Sequence, residues 1–194
     1  MRKKTALRWI AVLLVAASAS CAGGRRAGVV FHDPNMDFSL VQSAAVLPFV
    51  NLTSMQTAAD RVRDVFMTML QATGGTYVLP PGEVARGLAR ASVANSSAPS
   101  PDEVVAFAKL VKADVVVSGT LREYGEVRSG NSSANVISLS LQMMEAQTGK
   151  VVWSASSTRG GVTAADRLLG GGGEPMDIVT ERAVENLLSQ LFGK

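Results

Sequence analysis

Apolar and polar positions follow two rhythms along this chain, and the change between them divides it. From residue 57 to 111 apolar residues recur at the three-to-four spacing of helices packed on one side. Between Thr57 and Ala72 the stripe is Ala58, Val62, Val65, Phe66, Met69 and Leu70, with Asp60, Arg61, Arg63 and Asp64 outside it. Gly74 and Gly75 end that helix. Pro80-Pro81 open a second one, over about Gly82 to Ala91, with Val84 and Leu88 inward and Gly87 weakening it. Ser100-Pro101-Asp102-Glu103 starts a third: an N-cap serine, a proline at the first helical position and a glutamate placed to close a capping box. Val104, Phe107, Ala108 and Val111 are its inner stripe. The short apolar runs Ala44–Val50, Tyr77–Leu79 and Val115–Val117 read as strands, and Pro48 restricts the ladder of the first.

From Gly119 onward the period becomes two. Ile137, Leu139, Leu141 and Met143 alternate with Ser138, Ser140 and Gln142, the signature of a half-buried antiparallel strand over Asn135–Ala146. Gly119–Val127 precedes it across a polar loop, Arg128–Ala134, and Val151–Ser156 follows the turn Gln147–Lys150. Thr158–Glu174, with Gly160, Gly161 and the run Gly170–Gly173, reads as a flexible connector. Pro175–Phe192 closes the chain as a helix, with Ile178, Val179, Val184, Leu187, Leu188 and Leu191 inward. The pattern predicts an α/β class: a single domain over 42–194, a mixed sheet of about five strands flanked by helices, and an antiparallel meander in its second half.

Ahead of the domain stands a different pattern. Arg2, Lys3, Lys4 and Arg8 precede the uninterrupted apolar run Trp9–Ala17, and the small residues Ser18, Ala19 and Ser20 lead into Cys21. That is the layout of a secretory signal peptide, and the run is too short to span a bilayer. The chain's one cysteine occupies the cleavage position. The segment resembles that of a bacterial lipoprotein, in which cleavage falls between Ser20 and Cys21 and Cys21 becomes acylated; Ser18 stands where such lipoboxes usually carry Leu. The alternative is an ordinary secreted protein cut near Ser20. The resemblance implies residues 1–20 as signal peptide, 21–41 as a lipidated tether, and a membrane partner reached through acyl chains on Cys21. Ala22 is not the aspartate that tends to retain lipoproteins in the inner membrane, so the implied location is the periplasmic face of the outer membrane.

Cleavage changes the charge. Four of the 19 basic residues precede Cys21 and none of the 16 acidic ones does, leaving 15 against 16, a net of −1. The +3 of the whole chain thus comes from the four basic residues of the discarded segment, and a nucleic-acid partner loses its support. With the cysteine used as anchor no disulfide framework remains, so the fold rests on packing. Candidate chemistry is sparse. His32, the one histidine, sits beside Asp33 and reads as a surface residue. No Cys/His/carboxylate cluster has metal-ligand spacing, no Ser-His-Asp set is in view, and Gly170–Gly173 lacks the Gly-Lys-Ser/Thr of a phosphate loop. Glu123 and Glu126, three apart near a strand end, read as a solvated pair. No catalytic residue, cofactor or metal is expected, and the chain is read as not an enzyme. On the general ground that binding residues concentrate on loops, the candidate contact surfaces are Asn51–Gln56, Ala94–Ser100 and the Gly-rich connector.

Four pieces in order carry a second resemblance: Ala45-Val46-Leu47-Pro48-Phe49-Val50-Asn51, Ala113-Asp114-Val115-Val116-Val117-Ser118-Gly119, Ala146-Gln147-Thr148-Gly149-Lys150-Val151-Val152-Trp153-Ser154, and a final amphipathic helix. Together, over about residues 42–192, they resemble the periplasmic lipoprotein superfamily that includes CsgG, LpoB and the amino-terminal domain of TolB. The resemblance implies a non-catalytic module that binds proteins of a cell-envelope complex, for example an LpoB-like activator of peptidoglycan synthesis, which usually acts on a longer tether than this one. The alternative it carries is a subunit of a CsgG-like oligomeric export channel. Membrane strands need ~9–11 alternating residues each, and Arg128–Ala134 does not extend a hairpin that far. The envelope protein partner stays unidentified at this level, and homo-oligomerisation and peptidoglycan binding stay open.

Overall fold

A computed structural model of the chain describes residues 30–162 and 173–193. Seven strands form one mixed sheet in the order β1 (Val30–His32), β7 (Val151–Gly160), β6 (Ser132–Glu145), β5 (Val115–Ser129), β2 (Ser43–Val46), β4 (Tyr77–Val78). The remaining strand, β3 (Val50–Asn51), prolongs the track of β2 along β5. β4, β2 and β5 are parallel, whereas β5, β6, β7 and β1 are successively antiparallel. The class and the meander are as the pattern predicts; the strand number is seven rather than about five, because β1 and β3 are too short to show a period.

Topology places the helices. β4 lies on one side of β2 and β5 on the other. Two right-handed crossovers leaving in opposite directions must run over opposite faces of the sheet. Accordingly α1 (Ala58–Ala72), between β3 and β4, covers one face, while α2 (Pro81–Arg90) and α3 (Pro101–Val111), between β4 and β5, cover the other. The closing helix α4 (Met176–Phe192) joins α1. Under α1 and α4 lie Val62, Phe66, Leu70, Val184 and Leu187, packed on Val117, Leu121, Leu139, Leu141 and Trp153. Under α2 and α3 a smaller core of Val84, Leu88, Val104 and Phe107 rests on Ala45, Leu47, Val116 and Met144.

Several departures from the periodic reading have local causes. β5 is one strand of 15 residues, not an apolar run followed by a separate segment. A bulge between Leu121 and Glu123 leaves Arg122 unpaired and resets the alternation, which hides the continuity in the sequence. Arg128–Ala134 is not a loop: β5 and β6 stay paired to Ser129↔Ser132, and Gly130-Asn131 alone make the turn. Gly130 has φ +65°, the positive first position that suits a two-residue hairpin. β7 runs on to Gly160, into the stretch read as connector. In α4, Ile178 is exposed, and Thr180 and Ala183 are buried with the five other residues of its inner stripe. Within the stretch read as tether, β1 pairs with β7 and Phe38–Leu40 forms a 3₁₀ turn.

Two side chains lock the parallel half. Asp114 Oδ2 accepts hydrogen bonds from Gln42 N–H, Ser43 N–H and Ser43 Oγ–H at 3.0, 2.9 and 2.9 Å, fastening the start of β2 to that of β5. Arg63 is buried in α1, not on the outer side where its polarity puts it, and it donates from Nε and Nη2 to the Val46 carbonyl at 3.2 and 2.5 Å. The reason is an orphan acceptor. The carbonyls of Gln42 and Ala44 take N–H bonds from Tyr77 and Leu79; two residues further on stands Pro81, which has no N–H to give Val46.

Candidate functional site

The parallel strands deliver the chain to the loop Asn51–Gln56 at their carboxyl ends, beside the point where the crossovers part to opposite faces. Open α/β sheets bind ligands at such a position. Asn51 organises this loop. Its amide donates to the Met55 and Gln56 carbonyls at 2.8 and 3.1 Å, and its Oδ1 accepts from Thr53 N–H and Oγ–H at 3.0 and 2.8 Å. The bonds hold the backbone while Leu52 and Met55 project outward, 63% and 42% exposed. A fastened loop offering two apolar side chains suits protein contact, since little chain entropy is left to lose on binding.

The second predicted loop, Ala94–Ser100, is held by Glu103. One carboxylate oxygen accepts from Ala94 N–H at 2.8 Å and the other from Ser100 N–H at 2.7 Å, while Ser100 Oγ accepts from Glu103 N–H at 3.4 Å. The capping box is therefore complete, and it also ties down the loop that precedes it. The Ala94 and Ser100 N–H groups hold the Glu103 carboxyl below its ordinary range. The tip of the loop, Ser97–Pro99, walls a cleft of about 240 Å³ over β5 and β6. The floor of that cleft is polar: Ser118, Thr120, Ser140 and Gln142.

Of the other predicted positions, Ser20 and Cys21 lie outside the described residues, as does the core of the Gly-rich connector, residues 163–172. His32 is exposed, as expected, but belongs to β1: its Nε2–H donates to the Gln190 carbonyl at 3.0 Å and its ring meets Phe38 edge-on, so it joins the sheet edge to α4. Glu123 and Glu126 are both exposed on β5. Among the described residues no group of three or more His, Cys, Asp or Glu side chains is placed to hold a metal ion, and no helix is long and apolar enough to cross a membrane. Sequence reasoning missed Arg63 and the polar cleft. The alternating serines of β6 signal an exposed face, but only pairing shows that β5 and β7 contribute hydroxyls to the same face.

Similarity to known proteins agrees with this architecture. Among curated proteins none matches the chain. The PelC dodecamer of Paraburkholderia phytofirmans superposes with a TM-score of 0.56 at 19% identity, covering 84% of this chain and 96% of PelC. Lipoprotein GNA1162 of Neisseria meningitidis superposes at 0.55 and 17% identity, covering 79% and 99%. At these identities the likeness establishes the fold. The model of the family described as peptidoglycan-synthase activator LpoB matches residues 41–158, more than half of the chain and nearly all of the sheet from β2 to β7. The chain belongs to the LpoB family.

Proposed function

We propose that this protein is a lipid-anchored, non-catalytic interaction module of the cell envelope, held at the periplasmic face of the outer membrane through Cys21 and engaging an envelope protein such as a peptidoglycan synthase. The family match across the sheet carries this reading. The contact surface in this proposal is the loop Asn51–Gln56, whose exposed Leu52 and Met55 are presented on a fastened backbone.

The sheet edge adds a length argument. β1 begins at Val30, so eight residues lie between it and Cys21, and the nine Cα–Cα steps reach at most ~32 Å when fully extended. β1 runs antiparallel to β7 and hence to β5 and β2, so the chain enters from the side toward which β3 leads into Asn51–Gln56. An anchored Cys21 then keeps that loop close to the membrane, and the partner must come to it there.

A second reading, a subunit of a ring-shaped envelope assembly or export channel, is favoured by the PelC likeness, since those relatives are dodecamers. Native mass of the protein extracted gently from membranes separates the two. A monomer or dimer that crosslinks to an envelope protein, with the crosslink lost in Leu52→Ser/Met55→Ser and the protein released to the soluble fraction by Cys21→Ser, is the expected result. A discrete ring-sized species would favour the second reading. Soluble recovery of the unaltered protein would sink the anchor, and an unchanged crosslink in the double variant would sink the assigned surface.

A further inference from the structure

The face of the sheet beneath α2 and α3 is apolar only as far as those helices extend. Val116 and Met144 lie under them; two residues further along each strand the character changes. Register places Ser118, Gln142 and Ser154 in one row across β5, β6 and β7, and Thr120, Ser140 and Ser156 in the next. Ser138 pairs with Thr158 beyond them, where the Thr158 hydroxyl donates to Ser138 Oγ at 3.1 Å. All of these positions are partly or fully exposed. The result is an array of hydroxyl and amide groups with no large apolar side chain on it, bounded at its Ser138 end by Glu123, which pairs with Ser138 from β5.

Three further observations turn one part of this array into a site. The loop Ser97–Pro99 rises over it and forms the cleft of about 240 Å³. Arg122, the extra residue of the β5 bulge, stands at the rim and makes no ion pair or hydrogen bond among the described residues, and no carboxylate lines the cleft there. On the floor, Ser140 Oγ is covered, so the polar groups open to a bound molecule are those of Ser118, Thr120 and Gln142. The cleft also has an apolar side, made by Val50, Pro99 and Met144.

We infer that this cleft binds an acidic sugar. Ring hydroxyls and an amide substituent match Ser118, Thr120 and Gln142; the carboxylate pairs with Arg122; the C–H face of the ring lies against Pro99 and Met144. The volume is below the ~300–1,000 Å³ of sites for drug-sized ligands and suits a single ring. A protein side chain is the less favoured occupant, because the floor lacks the aromatic and large apolar anchors that protein hot spots use. The inference does not depend on the protein-partner reading above.

The test is saturation-transfer NMR on the full acylated protein in detergent micelles, with N-acetylmuramic acid and glucuronate as acidic probes and N-acetylglucosamine and glucose as their neutral counterparts. The acids should bind and the neutral sugars should bind about tenfold or more weakly, the worth of one charge-assisted hydrogen-bonded pair. Arg122→Gln, an exposed position that leaves packing untouched, should abolish the preference, and Gln142→Ala should weaken both members of a pair. The better of the two acids identifies whether the sugar is of the amino-sugar or the uronic type. Equal binding of acid and neutral sugar, an unchanged preference in Arg122→Gln, or no transfer at millimolar probe would each overturn the inference.

Discussion

Replacing Arg63 tests how the interrupted edge of the sheet is held. Its guanidinium is the donor to the buried Val46 carbonyl, and its stem packs within the larger core side of α1. Burial lowers the guanidinium's pKa, while the nearby charges of Asp64 and Asp60 pull it back, so the cation is kept but is partly stripped of water. Arg63→Met retains the apolar stem and removes the donors. A buried carbonyl left unsatisfied costs about 1–3 kcal/mol. Removing the cation also removes its desolvation penalty, so the net expected loss is about 1–2 kcal/mol. Arg63→Ala loses in addition about two to three methylenes of burial at ~0.8 kcal/mol each, for about 3–4 kcal/mol in all. Arg63→Lys keeps one donor and should cost about 1 kcal/mol or less. Urea unfolding of the chain from Ala22 onward, followed by fluorescence of the buried Trp153, measures all three; Trp9, the other tryptophan, is absent from that form. The losses should rank Ala above Met above Lys at constant denaturant slope. An Arg63→Met protein as stable as the unaltered one would refute the argument that Val46 depends on this side chain.

Two further substitutions probe the other face. A Cβ built at Gly87 of α2 would stand 2.3 Å from Val111 Cγ1 and 2.9 Å from Phe107 Cε2. Gly87→Ala gains about 1 kcal/mol of helix propensity, but overpacking costs typically 1–3 kcal/mol with α3 forced away, so thermal unfolding by circular dichroism should show a lower Tm; a higher Tm would mean that α2 and α3 separate freely. Glu103 has a folded pKa below its unfolded value of about 4.5, so its contribution is fully present above that value and is lost as pH falls through the folded pKa. Stability of Glu103→Gln should therefore fall less steeply than that of the unaltered protein below pH 4.5, and parallel acid limbs would show that the capping carboxylate is not linked to folding. Ser100→Ala, which removes the other half of the box, should cost about 1 kcal/mol at neutral pH by the same urea assay.

What the sequence determined by itself is what depends on near neighbours. The Ser100–Glu103 capping box, the proline starts of α2 and α3, the helix stripes and the alternation of β6 all rest on groups within a few residues of one another, so they are legible before any fold is known. The class of the fold and the family resemblance followed from the order of those local signals, and the fastening of the Asn51–Gln56 loop is equally local, since the side chain of Asn51 reaches only four and five residues ahead.

Tertiary structure decided everything that needed a distant partner. Arg63 looks like one of several surface charges on α1 until Pro81, eighteen residues on, fails to supply an N–H to Val46. Gly87 looks like a weak point in a helix until Val111 arrives against it. The polar cleft is invisible in any one strand, since β5 brings Ser118 and Thr120, β6 brings Ser140 and Gln142, and the loop before α3 supplies the wall. Hydrogen-bond satisfaction and close packing are conditions on space. A chain records them only as isolated residues whose reason lies elsewhere in the sequence.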